Sequence, residues 1–176
     1  DFAEKSFEDQ LALIRKVSPD ILALQESDSA RISLNNNDYV RYFAENLGYY
    51  SYYGPSPVTG TYGTAILSKY PLLNTRTIFT FSDKDEIGTA GAEIEVNGIR
   101  ISIYNVHPDG SDTAMMVFAR TLLARSQDKP YVIALGDFNL RDYEEAYQLI
   151  DSVYVNAWTS VYPSEIGAGV DMSGEN

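Results

Sequence analysis

The chain has 176 residues, 44% of them hydrophobic and 22% charged, with no cysteine and a formal net charge of −12. That make-up suits one globular domain, 1–176, able to hide roughly 70% of its unfolded surface. It excludes a disulfide framework, a thiolate metal site and a membrane-spanning helix, and its scattered lysines and arginines argue against a face built to grip duplex nucleic acid.

Phe7, Leu11, Ile14 and Val17 recur at helical spacing, predicting a helix over 6–17 with Ser6 and Asp9 as a capping box. Pro19 ends it. A strand over 21–25 follows and delivers Glu26 at its downstream end. A second helix runs from about Asn37 to Leu47, with Tyr39, Val40, Phe43 and Leu47 on one face and Gly48 as its stop. Strands at 49–53 and 63–68 flank a loop, 54–62, rich in Gly, Pro, Ser and Thr, and another strand covers roughly 73–81. Ser68-Lys69-Tyr70-Pro71 reads as a strand end and turn.

Residues 82–89 form a polar, acidic loop. The clearest hairpin comes next: Ala92 to Val96, an Asn97-Gly98 turn, then Ile99 to Asn105, with His107 just beyond. Residues 111–126 are helical, with Met115, Ala119, Leu122 and Leu123 toward the core. Tyr131 to Leu135 is an unbroken apolar run that stops at Gly136 and is followed by Asp137 and Asn139. Such a run reads as a strand buried on both faces, with polar groups gathered where it emerges. A short helix lies near 142–151, and the tail from Gly167 has no apolar period and reads as loose.

Two segments share one plan. Ser18 to Glu26 and Lys129 to Asp137 each place a Pro-containing turn after a helix, then an apolar strand, then a carboxylate at its end. With His107, the chain's single histidine, three strands deliver Glu26, His107 and Asp137/Asn139. If those strands are neighbours running the same way, the four groups share one rim. Asp137 and Asn139 are two apart, and point the same way if the chain stays extended past Gly136.

Four pieces in this order resemble the endonuclease/exonuclease/phosphatase superfamily, the DNase-I-like metal-dependent phosphoesterases. They are Ile21-Leu22-Ala23-Leu24-Gln25-Glu26, Tyr62 to Pro71, Tyr104-Asn105-Val106-His107 and Gly136-Asp137-Phe138-Asn139. The Gln25 to Asp28 region and the stretch from Leu47 to Pro71 look closest to the phosphoesterase-like domain of membrane proteins that remodel GPI-anchor lipid. The resemblance implies a four-layer α/β sandwich, two mixed sheets face to face with helices outside. It also implies a Mg²⁺ cofactor, with Mn²⁺ able to substitute, held by Glu26. By the same resemblance Asp137 orients or activates the attacking water, Asn139 contacts the phosphate and His107 lies beside it. Asn105 supports the same rim as a substrate-binding group. Each has a plainer reading: Glu26 as a cap partner for Ser27, His107 as a structural hydrogen-bonder, Asn105 as a residue that ends the sheet, Asp137 and Asn139 as turn formers.

Family members begin with a strand carrying a metal-site Asn and end with an Asp-His pair, and neither segment is in this sequence. The expectation is therefore a domain lacking terminal strands, folding marginally by itself and turning over little substrate. The leading reading is a metal-dependent phosphoesterase acting on a small-molecule or lipid-linked phosphoester, in a membrane-protein parent. A binding or scaffold module with the same fold is the main rival, and a nuclease the second. Tyrosines at 39, 42, 49, 50, 52, 53 and 62 suit packing on a sheet face, with those near 54–62 placed to rim a sugar or headgroup pocket. Asp83, Asp85, Asp109, Asp112 and Asp171 read as solvated loop acids.

Overall fold

A computed structural model describes residues 2–28, 38–55, 62–81 and 86–163. The acids Asp83, Asp85 and Asp171, most of the 54–62 loop and the tail from Gly167 lie outside the described residues. In chain order the elements are α1 (Phe2–Val17), β1 (Ile21–Asp28), α2 (Tyr39–Leu47), β2 (Tyr50–Pro55), β3 (Tyr62–Ser68), β4 (Leu73–Phe81), β5 (Glu86–Val96) and β6 (Ile99–Val106). They continue with α3 (Asp112–Ser126), β7 (Val132–Gly136), α4 (Glu145–Asp151) and α5 (Ala157–Val161).

Two sheets carry the fold. One has the order β1-β3-β2, the other β4-β5-β6-β7. Period-two alternation divides each strand between two cores. On β3, Ala65 and Leu67 face outward to Leu11 of α1 and Val40, Phe43 and Ala44 of α2. Ile66, between them, joins Ala90, Ala92, Ile94 and Ile103 in the layer between the sheets. On β6, Tyr104 and Val106 face outward to Met115, Phe118, Ala119 and Leu122 of α3. The result is four layers, helix–sheet–sheet–helix, as expected. The larger sheet is mixed, with β6 and β7 parallel, while the smaller is antiparallel throughout.

Glycine lets the sheets close at one end. A Cβ on Gly54 would press on Ala90, and one on Gly63 would overlap the Gly54 carbonyl. Nearby, the Thr64 hydroxyl donates to the Gly88 carbonyl (3.1 Å) and accepts from the Ala90 N–H (3.2 Å), tying β3 to β5. The β5–β6 turn is as expected: Asn97 and Gly98 both have positive φ, 52° and 79°, as a two-residue hairpin requires.

Several expectations are corrected. The first helix starts at Phe2, so Ser6 is within it and its hydroxyl accepts from Gln10 (3.3 Å) rather than capping. Residues 86–89, expected in a loop, extend β5 and pair with β4. The run after Tyr131 is not buried on both faces. β7 is an edge strand, so Ile133 is 46% and Tyr131 55% exposed. Its apolar character reflects packing of Val132 and Ala134 against the α3–α4 core, not a central position. β1 is an edge strand too, but of the facing sheet. The repeated plan thus builds two opposed edges instead of neighbours in one sheet.

Tyr39, Tyr42 and Tyr52 pack structurally. Tyr39 stacks on Phe7 with ring centroids 3.5 Å apart, Tyr42 meets Phe43 edge-on, and the Tyr52 hydroxyl bonds Thr77 (2.9 Å). Ser68 to Pro71 is a turn: Lys69 Nζ donates to the Ser18 carbonyl (2.8 Å) and to Asp20 (3.0 Å), and Tyr70 N–H to the Ser68 hydroxyl (2.9 Å).

Candidate active site

β6 ends at Val106 and hands the chain to His107, whose imidazole is 16% exposed. Its Nε2 stands 3.7 Å from Glu26 Oε1 and 3.7 Å from Asp137 Oδ2. Those distances are close polar contacts, longer than hydrogen bonds, and leave the carboxylate oxygens open to another partner. Convergence arises across the sandwich. β6 and β7 are parallel neighbours that bring His107 and Asp137 to one end, and β1 supplies Glu26 from the opposing sheet.

Glu26 is not the buried strand-end carboxylate that the apolar run suggests; its side chain is 68% exposed. The β1–β3 register shifts between Leu24 and Ser27, and Glu26 takes a left-handed backbone conformation with φ 49°. A bulge of this kind re-aims a side chain out of the strand alternation. Ser27 bonds the Gln25 carbonyl (3.4 Å) and does not cap Glu26.

The Asp137/Asn139 loop turns sharply instead of continuing extended. Gly136 has φ 131° and Asn139 has φ 48°, and the Asn139 N–H donates to Asp137 Oδ1 (2.9 Å). Asn139 Nδ2 donates to the carbonyl of buried Pro108 (3.0 Å), joining the loop to the His107 segment. One amide hydrogen and the carboxamide oxygen of Asn139 remain for other partners, and Asp137 keeps Oδ2 facing His107.

Asn105, expected among the substrate-binding groups, stands behind the rim. It is fully buried, with Nδ2 donating to the Leu24 and Ala65 carbonyls (2.8 Å each) and Oδ1 accepting from Gln25 Nε2 (2.7 Å). Sequence reasoning passed over Gln25 and Gly136. Gln25 is the first polar side chain after the apolar run of β1, which is a signal; Gly136 read only as a strand break.

Among the described residues, no group of three or more His, Cys, Asp and Glu is arranged to hold a metal. The site offers two carboxylates, each more than half exposed. That donor set fits Mg²⁺, which keeps several waters and takes one or two protein carboxylates with substrate phosphate. Asp109 and Asp112 are exposed, and Asp109 caps its own loop through the Gly110 N–H (2.7 Å). A groove of about 530 Å³ lies elsewhere: it runs along β7 between Ile133, Phe138, Leu140, Tyr147 and Tyr154.

Comparison with known proteins agrees with this architecture. Residues 2–149 match the family model described as the PGAP2IP C-terminal nuclease-like domain. Protein cwh43 of Schizosaccharomyces pombe is 34% identical over 95 residues, 53% of this chain and 10% of that protein. An endonuclease/exonuclease/phosphatase family protein from Leptotrichia buccalis superposes with TM-score 0.67 at 20% identity, covering 85% of this chain and 66% of that one. Sphingomyelinase C from Streptomyces griseocarneus superposes with TM-score 0.58 at 18% identity, covering 76% of this chain and 56% of that one. The chain therefore spans a tenth of its curated relative and under two thirds of these structures.

Proposed function

The chain belongs to the family of the PGAP2IP C-terminal nuclease-like domain, and from that membership we propose that it is a metal-dependent phosphoesterase domain. Its substrate class in this reading is a phosphodiester or phosphomonoester of a small molecule or lipid headgroup. The observation that carries the reading is the single imidazole nitrogen, His107 Nε2, 3.7 Å from two carboxylates drawn from opposite sheets. A purely structural histidine has no need of two open carboxylates at its exposed edge.

Glu26 would hold the cation, aided by Asp137. A bound Mg²⁺ supplies neutralisation of the phosphoryl oxygens, the main requirement of phosphoryl transfer. Asp137 Oδ2 would accept a hydrogen bond from the attacking water and fix its line of approach. His107 Nε2 and the remaining Asn139 N–H would donate to phosphate oxygens. Asn105, with its amide engaged, would act from behind these groups. The resemblance to the phosphoesterase-like domain of membrane proteins that remodel GPI-anchor lipid favours a lipid-borne ester, in a membrane-protein parent.

A second reading has one observation in its favour: among the described residues no further histidine or metal-holding acid cluster accompanies this trio. The same groups would then bind a phosphoester without turnover. Hydrolysis of bis(p-nitrophenyl) phosphate by a longer version spanning the relatives' whole domain separates the two. Mg²⁺-dependent release of nitrophenol, lost on Asp137→Ala, is the expected result. Cation and phosphate binding without hydrolysis would establish the binding module instead.

A further inference from the structure

Glu26 holds a left-handed backbone at an exposed, non-glycine position, and such a conformation persists only where the surroundings over-determine it. The side chain that does so is next door. Gln25 turns inward from the bulge and donates through Nε2 to Asn105 Oδ1 at 2.7 Å, across the gap between the sheets. Asn105 answers with both amide hydrogens, to the carbonyls of Leu24 and Ala65. Those two residues are the last pair before the β1–β3 register breaks. One buried amide therefore grips both strands at the bulge from which Glu26 projects.

The same amide lies against the residue that precedes the other carboxylate. Gly136, which precedes Asp137, packs so closely that a Cβ there would stand 2.9 Å from Asn105 Oδ1. We infer that Gln25 and Asn105 form a cross-sheet clasp that positions Glu26 and Asp137 relative to each other for a shared divalent cation. They are positioning residues, reaching the ligand only through the two carboxylates. The inference rests on the cation-site reading above. Its physical content is distinct: the Gln25–Asn105 bond sets where Glu26 points.

The test uses Mn²⁺ alone, with affinity read by electron paramagnetic resonance, in the natural chain, Glu26→Ala, Gln25→Met and Thr64→Val. Methionine keeps the volume of Gln25 and removes its donor. Thr64→Val removes another tie between the sheets, to Gly88 and Ala90, and serves as the stability control. Gln25→Met should weaken Mn²⁺ binding about tenfold or more, in the range typical for groups that orient metal ligands, while Thr64→Val lowers the melting temperature without that loss. Natural affinity in Gln25→Met, or an equal loss in Thr64→Val, overturns the clasp. If the natural chain binds Mn²⁺ no better than Glu26→Ala, the cation-site reading fails by itself. The clasp is then decided by a crystal structure of Gln25→Met. Glu26 should leave its left-handed conformation and its approach to His107; retention of both refutes the inference.

Discussion

Gly136 rests so tightly on Val106 that a Cβ at this position would overlap the Val106 carbonyl oxygen. The two residues are the last pair of the parallel β6–β7 ladder, and Gly136 adopts φ 131°, where other residues are strained. Gly136→Ala should therefore cost about 2–4 kcal/mol from strain and overpacking together. Denaturant titration measures it. A cost under about 1 kcal/mol would mean that the end of β7 yields freely and does not fix Asp137.

At the opposite end of the same sheet, Glu93 is almost fully buried. Its carboxylate accepts from Lys129 Nζ (2.9 Å) and Asn74 Nδ2 (2.7 Å), with Arg100 at 3.8 Å. The Lys129 hydrogen bond first, then Asn74, hold its pKa below the usual carboxylate range against the opposing effect of burial. A depressed folded-state pKa contributes stability above the unfolded value, about 4.3, and that contribution is lost as pH falls through the folded value. Lys129→Ala removes the nearer cation and its hydrogen bond, leaving Arg100 at 3.8 Å and Asn74, and should cost about 2 kcal/mol at pH 7. The cost should shrink below about pH 4 as the carboxyl takes a proton. Urea melts of both proteins at the two pH values check this; equal losses would remove Glu93 as the cause.

Charge sets the expectation for nucleic acid. With a formal net charge of −12, the chain should not bind duplex DNA tightly, since such binding depends on neutralising several phosphates with lysine and arginine. A fluorescence titration at physiological salt should show no sub-micromolar association. Tight binding that weakens steeply with added salt would restore the nuclease reading.

Among the described residues β7 has a strand neighbour on one side only, and its edge lies beside an apolar groove with Ile133 and Tyr131 half exposed. Edges of this kind template pairing with another chain. Sedimentation velocity should show concentration-dependent self-association of the purified chain, relieved by Ile133→Lys. Unchanged association in that variant would place the contact elsewhere.

Much of this molecule was legible in one dimension because period and turn chemistry are local. The alternation on β3 and β6, the Asn97-Gly98 hairpin and the Gly48 helix stop follow from side-chain spacing and permitted φ. The candidates Glu26, His107, Asp137 and Asn139 came from a similar local signal, polar residues gathered at the downstream ends of apolar runs. The sequence by itself therefore determined most of the elements, the four-layer class and a candidate set of rim residues. Tertiary structure decided which strands are edges, and hence that Glu26 approaches His107 from the opposing sheet. It also decided that Asn105 is buried behind the site, because the inward face of β6 points at the β1 bulge. The Gln25–Asn105 and Asn105–Leu24 hydrogen bonds join residues 80 and 81 apart in the chain. Local propensity carries no record of such pairs; the close approach of two sheets creates them.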